Sequence, residues 1–253
     1  MGISARVICD SVSPAGVRLT TVCARYPRMI HSELMTHRVF SRSASSSRAI
    51  PIEKMLDAVV NDPAMPIHWG KNQKGMQAEG ELTGADQESA HRCWLEARDV
   101  AVKAVKELNA IGLHKQVANR LLEPWMHIEV LISATEWDNF FKLRRHPAAQ
   151  PEMHALADAI WDAREASSPQ ELEIGGWHLP FITDADREKV LALIREENPD
   201  GGCSFDMKRY HAILKNGWTA CCGAEPGRKS AGWSHEAQPL EAVTCPKCLR
   251  KLR

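Results

Sequence analysis

"THRVFSRSASSSR", residues 36–48, is the stretch from which the fold and the chemistry of this 253-residue sequence can be worked out. Its thirteen residues hold three arginines, one histidine and six hydroxyl side chains, with the apolar pair Val39 and Phe40 near the start. Guanidinium groups and hydroxyls suit a phosphate group, because charge-assisted hydrogen bonds are about twice as strong as neutral ones. From composition alone, an exposed flexible loop is the alternative to an anion-binding site.

The sequence on either side predicts a mixture of strands and helices. Residues 6–12 and 18–26 read as two strands, and the Ser-Pro-Ala-Gly between them suits a turn. Residues 28–40 have helical spacing, so the Ser/Arg stretch is expected to be a loop that follows a helix. Further helices are predicted over 85–112, over 114–146 with a break near Pro124, and over 148–168. Together these elements indicate an α/β (α+β) fold.

Charge and hydropathy exclude several classes of protein. Lys plus Arg and Asp plus Glu both number 32, so no overall field draws the chain to nucleic acid or to an anionic membrane. The apolar runs fall far short of the roughly 20 residues that span a bilayer, and the N-terminus has no signal-peptide stretch. We therefore expect a cytoplasmic protein with no membrane partner, and the overall charge gives no indication of a nucleic-acid partner.

The cysteines indicate a separate C-terminal module. Five of the eight lie between Cys203 and Cys248, and the last two form a Cys-Pro-Lys-Cys pair whose spacing suits one tetrahedral zinc ion. The preferred ligand set is His211, Cys222, Cys245 and Cys248. The alternatives are Cys203, Cys221 and His235. Four protein ligands leave no open position, so the Zn²⁺ would be structural. We therefore expect a catalytic domain over 1–200 and a zinc-binding module over 203–253.

The Ser/Arg stretch resembles the signature of the flavin-dependent thymidylate synthase family, and is most similar to its phage-type members. That signature reads Arg-His-Arg, two residues, Ser, one residue, Asn-Glu, one residue, Ser, one residue, Arg-Tyr. The matching positions here are His37, Arg38, Ser41, Ser46 and Arg48. The positions that depart from the signature are Thr36, Ser43, Ala44 and Ala49.

Two further segments resemble the same family in the expected order. "KQVANRLLEP" is similar to the segment whose arginine contacts substrate, which places Arg120 at that position. "WDNFFKLRRHPAAQPEM" is similar to a segment that supplies Asn139 and Arg144, with Gln150 and Glu152 in the helix that follows. Three matches in sequence are far more specific than any one of them.

The resemblance implies a flavin-dependent thymidylate synthase-like fold, a mixed sheet with long helices, and a homotetramer whose active sites lie between subunits. Its members bind FAD and transfer a one-carbon unit from methylenetetrahydrofolate to C5 of dUMP. NADPH supplies the hydride that completes the methyl group, and no catalytic cysteine is needed. The cell would be bacterial or phage-infected. The partners expected are therefore small nucleotide and folate substrates.

The resemblance also implies a role for each matching residue. Ser46, Arg48 and Arg120 would bind the phosphate and sugar of dUMP. Arg144 would lie at the pyrimidine and activate it, and the implied catalytic residues are Arg144 and Ser46. Glu33 stands where the family often has Gln near the substrate. The residues implied in FAD binding are His37, Arg38, Ser41 and Asn139.

Departures from the family keep other functions open. Cellular members carry Ser-Pro-Phe-Glu-His before the signature, whereas this chain has Ser-Pro-Ala-Gly-Val with Val17 at the histidine position. The first alternative is 5-hydroxymethylation of dUMP or dCMP for phage DNA modification, in which water traps the one-carbon unit. The second is a non-catalytic protein that binds zinc and nucleic acid. Two local questions also stay open: residues 68–77 contact a cofactor or are an exposed loop, and His178 lines a pocket or is a half-buried histidine with satisfied hydrogen bonds.

Overall fold

The computed structural model describes residues 2–174, 176–183, 185–186, 188–189 and 192, and the backbone of three strands at 203–206, 209–212 and 234–238. The chain divides into two compact units, Met1–His178 and Leu179–Arg253. The domain bounds expected from the sequence stay a prediction.

A β-hairpin opens the first unit, as the sequence predicts. Strands β1 (Ser4–Val12) and β2 (Arg18–Pro27) pair antiparallel. Between them the amide of Ser13 donates to the carbonyl of Val17 at 3.0 Å, and Gly16 takes a φ of 77° that favours glycine. The Ser-Pro-Ala-Gly segment is therefore the turn of the hairpin.

The hairpin lies within a five-stranded mixed sheet. Its strands lie side by side in the order β3 (Ser41–Ala44), β4 (His127–Ala134), β2, β1 and β5 (Gln170–Glu171). Strand β4 (His127–Ala134) pairs antiparallel with β2, and β3 (Ser41–Ala44) pairs antiparallel with β4 at the edge. The short β5 (Gln170–Glu171) is parallel to β1. The predicted α/β fold class is confirmed.

Two sequence-based expectations about strands are wrong. The segment 127–134 is strand β4 and not a resumed helix, because Ile128, Val130 and Ile132 alternate with more exposed residues and are β-branched. The Ser/Arg stretch is partly an edge strand and not entirely a loop, because β4 offers its free backbone edge to β3.

Helices surround the sheet of the first unit. A 3₁₀ turn at Arg28–Ile30 leads into the short helix α1 (His31–Leu34), and another 3₁₀ helix, Asn119–Trp125, follows α4 (Lys115–Ala118). The α-helices of this unit are α1 (His31–Leu34), α2 (Ile52–Asn61), α3 (Ala85–Ala110), α4 (Lys115–Ala118), α5 (Asp138–Arg144) and α6 (Pro151–Glu165). The helix expected over 28–40 ends early, where the Thr36 hydroxyl donates to the Glu33 carbonyl at 2.7 Å.

Two apolar clusters hold the unit together. The larger packs one face of the sheet against α5 and α6, and its fully buried members include Val22, Tyr26, Ile132, Phe140 and Leu156. The smaller joins α2 and α3 to the 3₁₀ helix Asn119–Trp125 through residues such as Met55, Val105 and Leu122. The first cluster supports α5, which carries Arg144, and the second supports the 3₁₀ helix that begins at Asn119.

The second unit contains strands β6 (Cys203–Asp206), β7 (Arg209–Ala212) and β8 (Ser234–Gln238) in the order β7-β6-β8. Of the expected zinc ligands, His211 lies in β7, of which only the backbone is described. Cys222, Cys245 and Cys248 lie outside the described residues. Among the residues that are described, no helix is long and apolar enough to cross a membrane.

Candidate functional site

Arg144 contacts two other residues that the sequence analysis selected, Glu33 and His37. It lies at the end of α5, and its Nε donates a hydrogen bond to His37 Nε2 at 2.9 Å. Its Nη1 donates to Glu33 Oε1 and forms an ion pair with that carboxylate. The guanidinium is therefore held from two directions, by one charged and one neutral partner.

His37 is a buried neutral imidazole. Its side chain packs edge-on against the Phe140 ring at 4.9 Å and lies 5.8 Å from the Phe40 ring, and the residue is only 7% exposed. Burial lowers the pKa of His37, and the positive charges of Arg144 and Arg42 lower it further. Because Nε2 accepts a hydrogen bond from Arg144, the neutral ring carries its own proton on Nδ1.

The part of the Ser/Arg stretch that follows β3 forms a turn. The amide of Ser45 donates to the Glu129 carbonyl at 2.9 Å, and the amide of Ala49 donates to the Ser46 carbonyl at 3.0 Å. Ser46 and Arg48 are exposed on this turn, and Ser47 between them is buried. The two predicted phosphate ligands therefore face solvent from one short loop.

Arg120 lies at the start of the 3₁₀ helix Asn119–Trp125 and is exposed. Its Nη1 is 3.3 Å from Glu123 Oε1, and the same oxygen lies 3.2 Å from Nη2 of Arg28. Two guanidinium groups thus share one carboxylate. The sequence analysis missed both Arg28 and Glu123: Arg28 is outside the segments that resemble the family, and Glu123 lies within "KQVANRLLEP" at a position to which the resemblance assigns no role.

Asn119, the neighbour of Arg120, is another residue that the sequence analysis missed. It is fully buried, and its Nδ2 donates to the Ser47 carbonyl at 2.9 Å and to the Ile50 carbonyl at 3.1 Å. Its place beside Arg120 within "KQVANRLLEP" was the one signal in the sequence that could have pointed to it. Asn119 connects the segment that carries Arg120 to the loop that carries Arg48.

A cleft of about 1370 Å³ lies over the Glu33 and Arg144 pair. One wall is the loop of residues 66–79, and the opposite wall is the segment 147–152 that leads into α6. Ligand pockets commonly measure about 300–1,000 Å³, so this cleft is large enough for more than one small ligand. Its lining combines apolar side chains such as Trp94 with amides and charges.

The loop 66–82 has defined internal contacts. Backbone hydrogen bonds join Lys71 to Gly80 at 2.7 Å and Leu82 to Trp69 at 2.8 Å. His68 Nε2 bonds the Ala78 carbonyl at 2.9 Å. Residues 68–77 thus lie along the cleft. Contact with a cofactor, which is one of the two expectations for this segment, stays a prediction.

Glu152 anchors this loop to α6. It is 5% exposed, and its Oε1 accepts a hydrogen bond from the Ile67 amide at 3.1 Å. Its Oε2 accepts from Gln150 Nε2 at 3.2 Å. The Ala-Gln-Pro-Glu segment therefore fixes one wall of the cleft to the other.

The other predicted site residues do not join this cluster. Arg38, Ser41 and Asn139 are exposed, on the turn after α1, on β3 and on α5 respectively. Val17, at the position of the family histidine, is 51% exposed at the end of the hairpin turn.

His178 has hydrogen-bond partners for both ring nitrogens. Nδ1 lies 2.7 Å from the Ser11 hydroxyl, and Nε2 lies 2.8 Å from the Thr21 hydroxyl. Burial lowers its pKa. This agrees with the expectation of a half-buried histidine with satisfied hydrogen bonds.

Within the described part of the chain, no group of three or more His, Cys, Asp or Glu side chains could hold a metal ion. The zinc ligands expected in the tail lie beyond that part, so this finding does not bear on them.

Comparisons with known proteins agree with the resemblance. A family model described as thymidylate synthase complementing protein matches residues 13–170. A structure of the UMP/dUMP methylase PolB from Streptomyces cacaoi bound with 5-Br dUMP is similar with a TM-score of 0.53 and 17% identity, over 64% of this chain and 89% of that chain. The same methylase bound with 5-Br UMP gives a TM-score of 0.51 and 15% identity, over 64% and 88%. No curated protein matches the sequence significantly.

At these identities the two solved structures show the fold alone. The family match covers more than half of the chain, and residues 13–170 include the cluster around Arg144 and the turn that carries Arg48. Members of this family are generally flavin-dependent. The chain therefore belongs to the thymidylate synthase complementing protein family and is a thymidylate synthase-like methyl or hydroxymethyl transferase.

Proposed function

We propose that this protein converts dUMP to dTMP, with methylenetetrahydrofolate as one-carbon donor, FAD as cofactor and NADPH as reductant. The observation that supports this most directly is the guanidinium of Arg144, held by Glu33 and His37 beneath the large cleft. Preorganised donors aimed at developing charge are the largest catalytic term in many enzymes. Arg144 is such a donor for a pyrimidine whose C5 must become nucleophilic.

The nucleotide contacts in this proposal come from α5, from the turn after β3 and from the 3₁₀ helix Asn119–Trp125. Arg144 would donate to a ring oxygen of the base and stabilise the negative charge that develops there as C5 attacks. Ser46, Arg48 and Arg120, which are all exposed, would bind the phosphate and sugar. The affinity for the phosphate would come from charge-assisted hydrogen bonds.

Polar side chains exposed on three separate elements suit the polar atoms of a flavin nucleotide. The residues that the family resemblance implies would hold FAD are His37, Arg38, Ser41 and Asn139, of which Arg38, Ser41 and Asn139 expose polar side chains. Because the His37 ring is buried and bonded to Arg144, its contribution includes the orientation of that guanidinium. When bound, the flavin supplies the hydride chemistry that these side chains lack.

A second candidate reaction is 5-hydroxymethylation of dUMP or dCMP. Two observations favour it: Val17 stands exposed where the family has a histidine, and Glu33 places a carboxylate beside Arg144. A carboxylate accepts a hydrogen bond from the exocyclic amine of cytosine. In this reaction water would add to the exocyclic methylene on C5, giving a hydroxymethyl group without a hydride. Membership of an enzyme family favours either reaction over the non-catalytic alternative.

Replacement of Arg144 tests the proposed site. We expect Arg144→Ala to reduce kcat/KM for dUMP by about 100-fold or more, the usual cost of removing one such donor. Arg145→Ala is the matched control, because the neighbouring Arg145 pairs with Asp158 on the surface. Equal losses in the two variants would count against the assignment.

The C-terminal module is proposed to hold structural zinc through His211, Cys222, Cys245 and Cys248. We expect about one equivalent of zinc in the purified protein, and loss of that zinc in Cys245→Ser. Cys93→Ser, which changes an exposed free cysteine of α3, is the control. Metal-free wild-type protein would refute the zinc module.

The proposal includes a homotetramer in the cytoplasm of a bacterial or phage-infected cell. Light scattering of the purified protein should give four times the 28.2 kDa chain mass. A monomer that is fully active would exclude active sites shared between subunits.

A further inference from the structure

The turn that presents Ser46 and Arg48 is held by a residue outside it. Before the turn, the chain is fixed by the pairing of β3 with β4 and by the hydrogen bond from the Ser45 amide to the Glu129 carbonyl. After it, Pro51 begins α2. Between these points, the described side-chain hydrogen bonds to backbone carbonyls come from Asn119 and Lys115, in addition to the hydrogen bond from the Ala49 amide to the Ser46 carbonyl.

Asn119 donates both side-chain amide protons to carbonyls of this turn. Nδ2 donates to the carbonyls of Ser47 and Ile50, which lie on either side of Arg48 and Ala49. Lys115 Nζ adds a bond to the Ala49 carbonyl at 2.9 Å. Three carbonyls of one short loop are therefore bound from α4 and the start of the following 3₁₀ helix.

Burial makes this connection specific. Asn119 is 0% exposed, and within the described residues its Oδ1 is buried without a hydrogen-bond partner. The side chain is therefore held through its two donors alone. A buried amide is costly unless it is hydrogen-bonded, so a residue with this shape but no donors could not replace it.

We infer that Asn119 is a positioning residue for nucleotide binding, which sets the distance between Arg48 and Arg120. Arg120 is its direct neighbour in the chain, and Arg48 lies between its two acceptors. The two guanidinium groups come from segments about seventy residues apart in the sequence. Asn119 belongs to the segment of Arg120 and donates hydrogen bonds to the turn that carries Arg48. Both arginines then face one phosphate group only while the Asn119 bonds persist.

This inference rests on the proposed phosphate role of Arg48 and Arg120, but it does not require the proposed reaction. It states that Asn119 acts on the 5′-phosphate and leaves the contact with the base unchanged. A merely structural role would weaken the binding of nucleotide and nucleoside by the same factor.

The test is the ratio of dissociation constants for dUMP and deoxyuridine, measured by calorimetry on the full chain. Asn119→Asp keeps the shape of the side chain but removes both donors. We expect the wild type to prefer dUMP, and Asn119→Asp to lose at least ten-fold of that preference with deoxyuridine binding unchanged. Arg48→Ala should show a loss of the same kind. Asn109→Asp is the control, because Asn109 is an exposed amide bonded to Glu53.

A second variant covers the case in which Asn119→Asp does not fold. Lys115→Met removes the bond to Ala49 from an accessible position, and we expect a smaller loss of the same preference. The inference would be overturned by an unchanged ratio in Asn119→Asp, by an unchanged ratio in Lys115→Met where Asn119→Asp does not fold, or by a wild type with no preference for dUMP. Tight phosphate-dependent binding without any product would refute the proposed reaction and leave the role of Asn119 standing.

Discussion

At the scale of single residues, the two partners of Arg144 have different effects on it. Glu33 offsets part of its charge, and a carboxylate beside a guanidinium presents an acceptor next to a donor. His37 offers a neutral acceptor and fixes the direction of Nε. The motifs identified these three residues, but their spacing could not show that the His37 ring is buried among aromatic side chains, because that depends on packing between α5 and the turn after α1.

His37 should give the enzyme an acidic limit. Protonation would turn Nε2 into a donor facing Arg144, and the bond between them would be lost. Because burial and the nearby arginines hold the pKa of His37 below its ordinary 6.5, the residue is neutral at pH 7, and activity should fall only once the pH is below 6.5.

His37→Gln tests this limit by the pH profile of kcat. Glutamine offers an oxygen acceptor that does not titrate, so we expect activity with a weaker fall at low pH. His154→Gln, a change of a more exposed histidine on α6, should keep the wild-type profile. An identical acidic limb in His37→Gln and the wild type would be incompatible with this role.

At the scale of elements, the sequence predicted some parts of the site and missed others for physical reasons. The hairpin β1–β2 and the helices α3 and α6 follow from turn residues and from apolar periodicity. Strand β4 was mistaken for helix, because eight residues between two helical segments carry too short a pattern to separate the two periods. Strand β3 was missed because its pairing depends on β4, which is far away in sequence.

The loop 66–82 should depend on Glu152 for its position. Removing a buried acceptor that satisfies a backbone amide costs about 1–3 kcal/mol, enough to favour local opening of the loop. We expect Glu152→Ala to speed tryptic cleavage after Lys71 and Lys74 several-fold and to raise KM for substrates of the cleft. Glu96→Ala, at an exposed ion pair of α3, should change neither. Equal cleavage rates in the two variants would show that Glu152 does not hold the loop.

At the scale of the whole molecule, several half-buried histidines make stability depend on pH. Burial lowers the pKa values of His31, His37 and His178. The pKa of His127 is lowered to about 4, mainly by burial and to a smaller extent by the positive charge of Arg25. The unfolded chain binds these protons near pH 6.5, whereas the folded chain binds them only at lower pH. Stability should therefore fall as the pH drops from 6.5 towards 4.

Thermal unfolding at a series of pH values checks this expectation. The midpoint should be steady between about pH 7 and 8 and should decrease by several degrees at pH 5. His127→Gln should reduce the decrease, because it removes the histidine whose pKa is lowered most clearly. A midpoint that rises on acidification would contradict the assignment of these histidines as neutral in the folded state.

The most direct test of the proposed function is the mass of the product. Purified protein would be incubated with dUMP, and separately with dCMP, together with FAD and methylenetetrahydrofolate, with and without NADPH. The proposed function implies that dTMP forms from dUMP only when NADPH is present. A hydroxymethyl nucleotide formed without NADPH, or no product from either nucleotide, would contradict it.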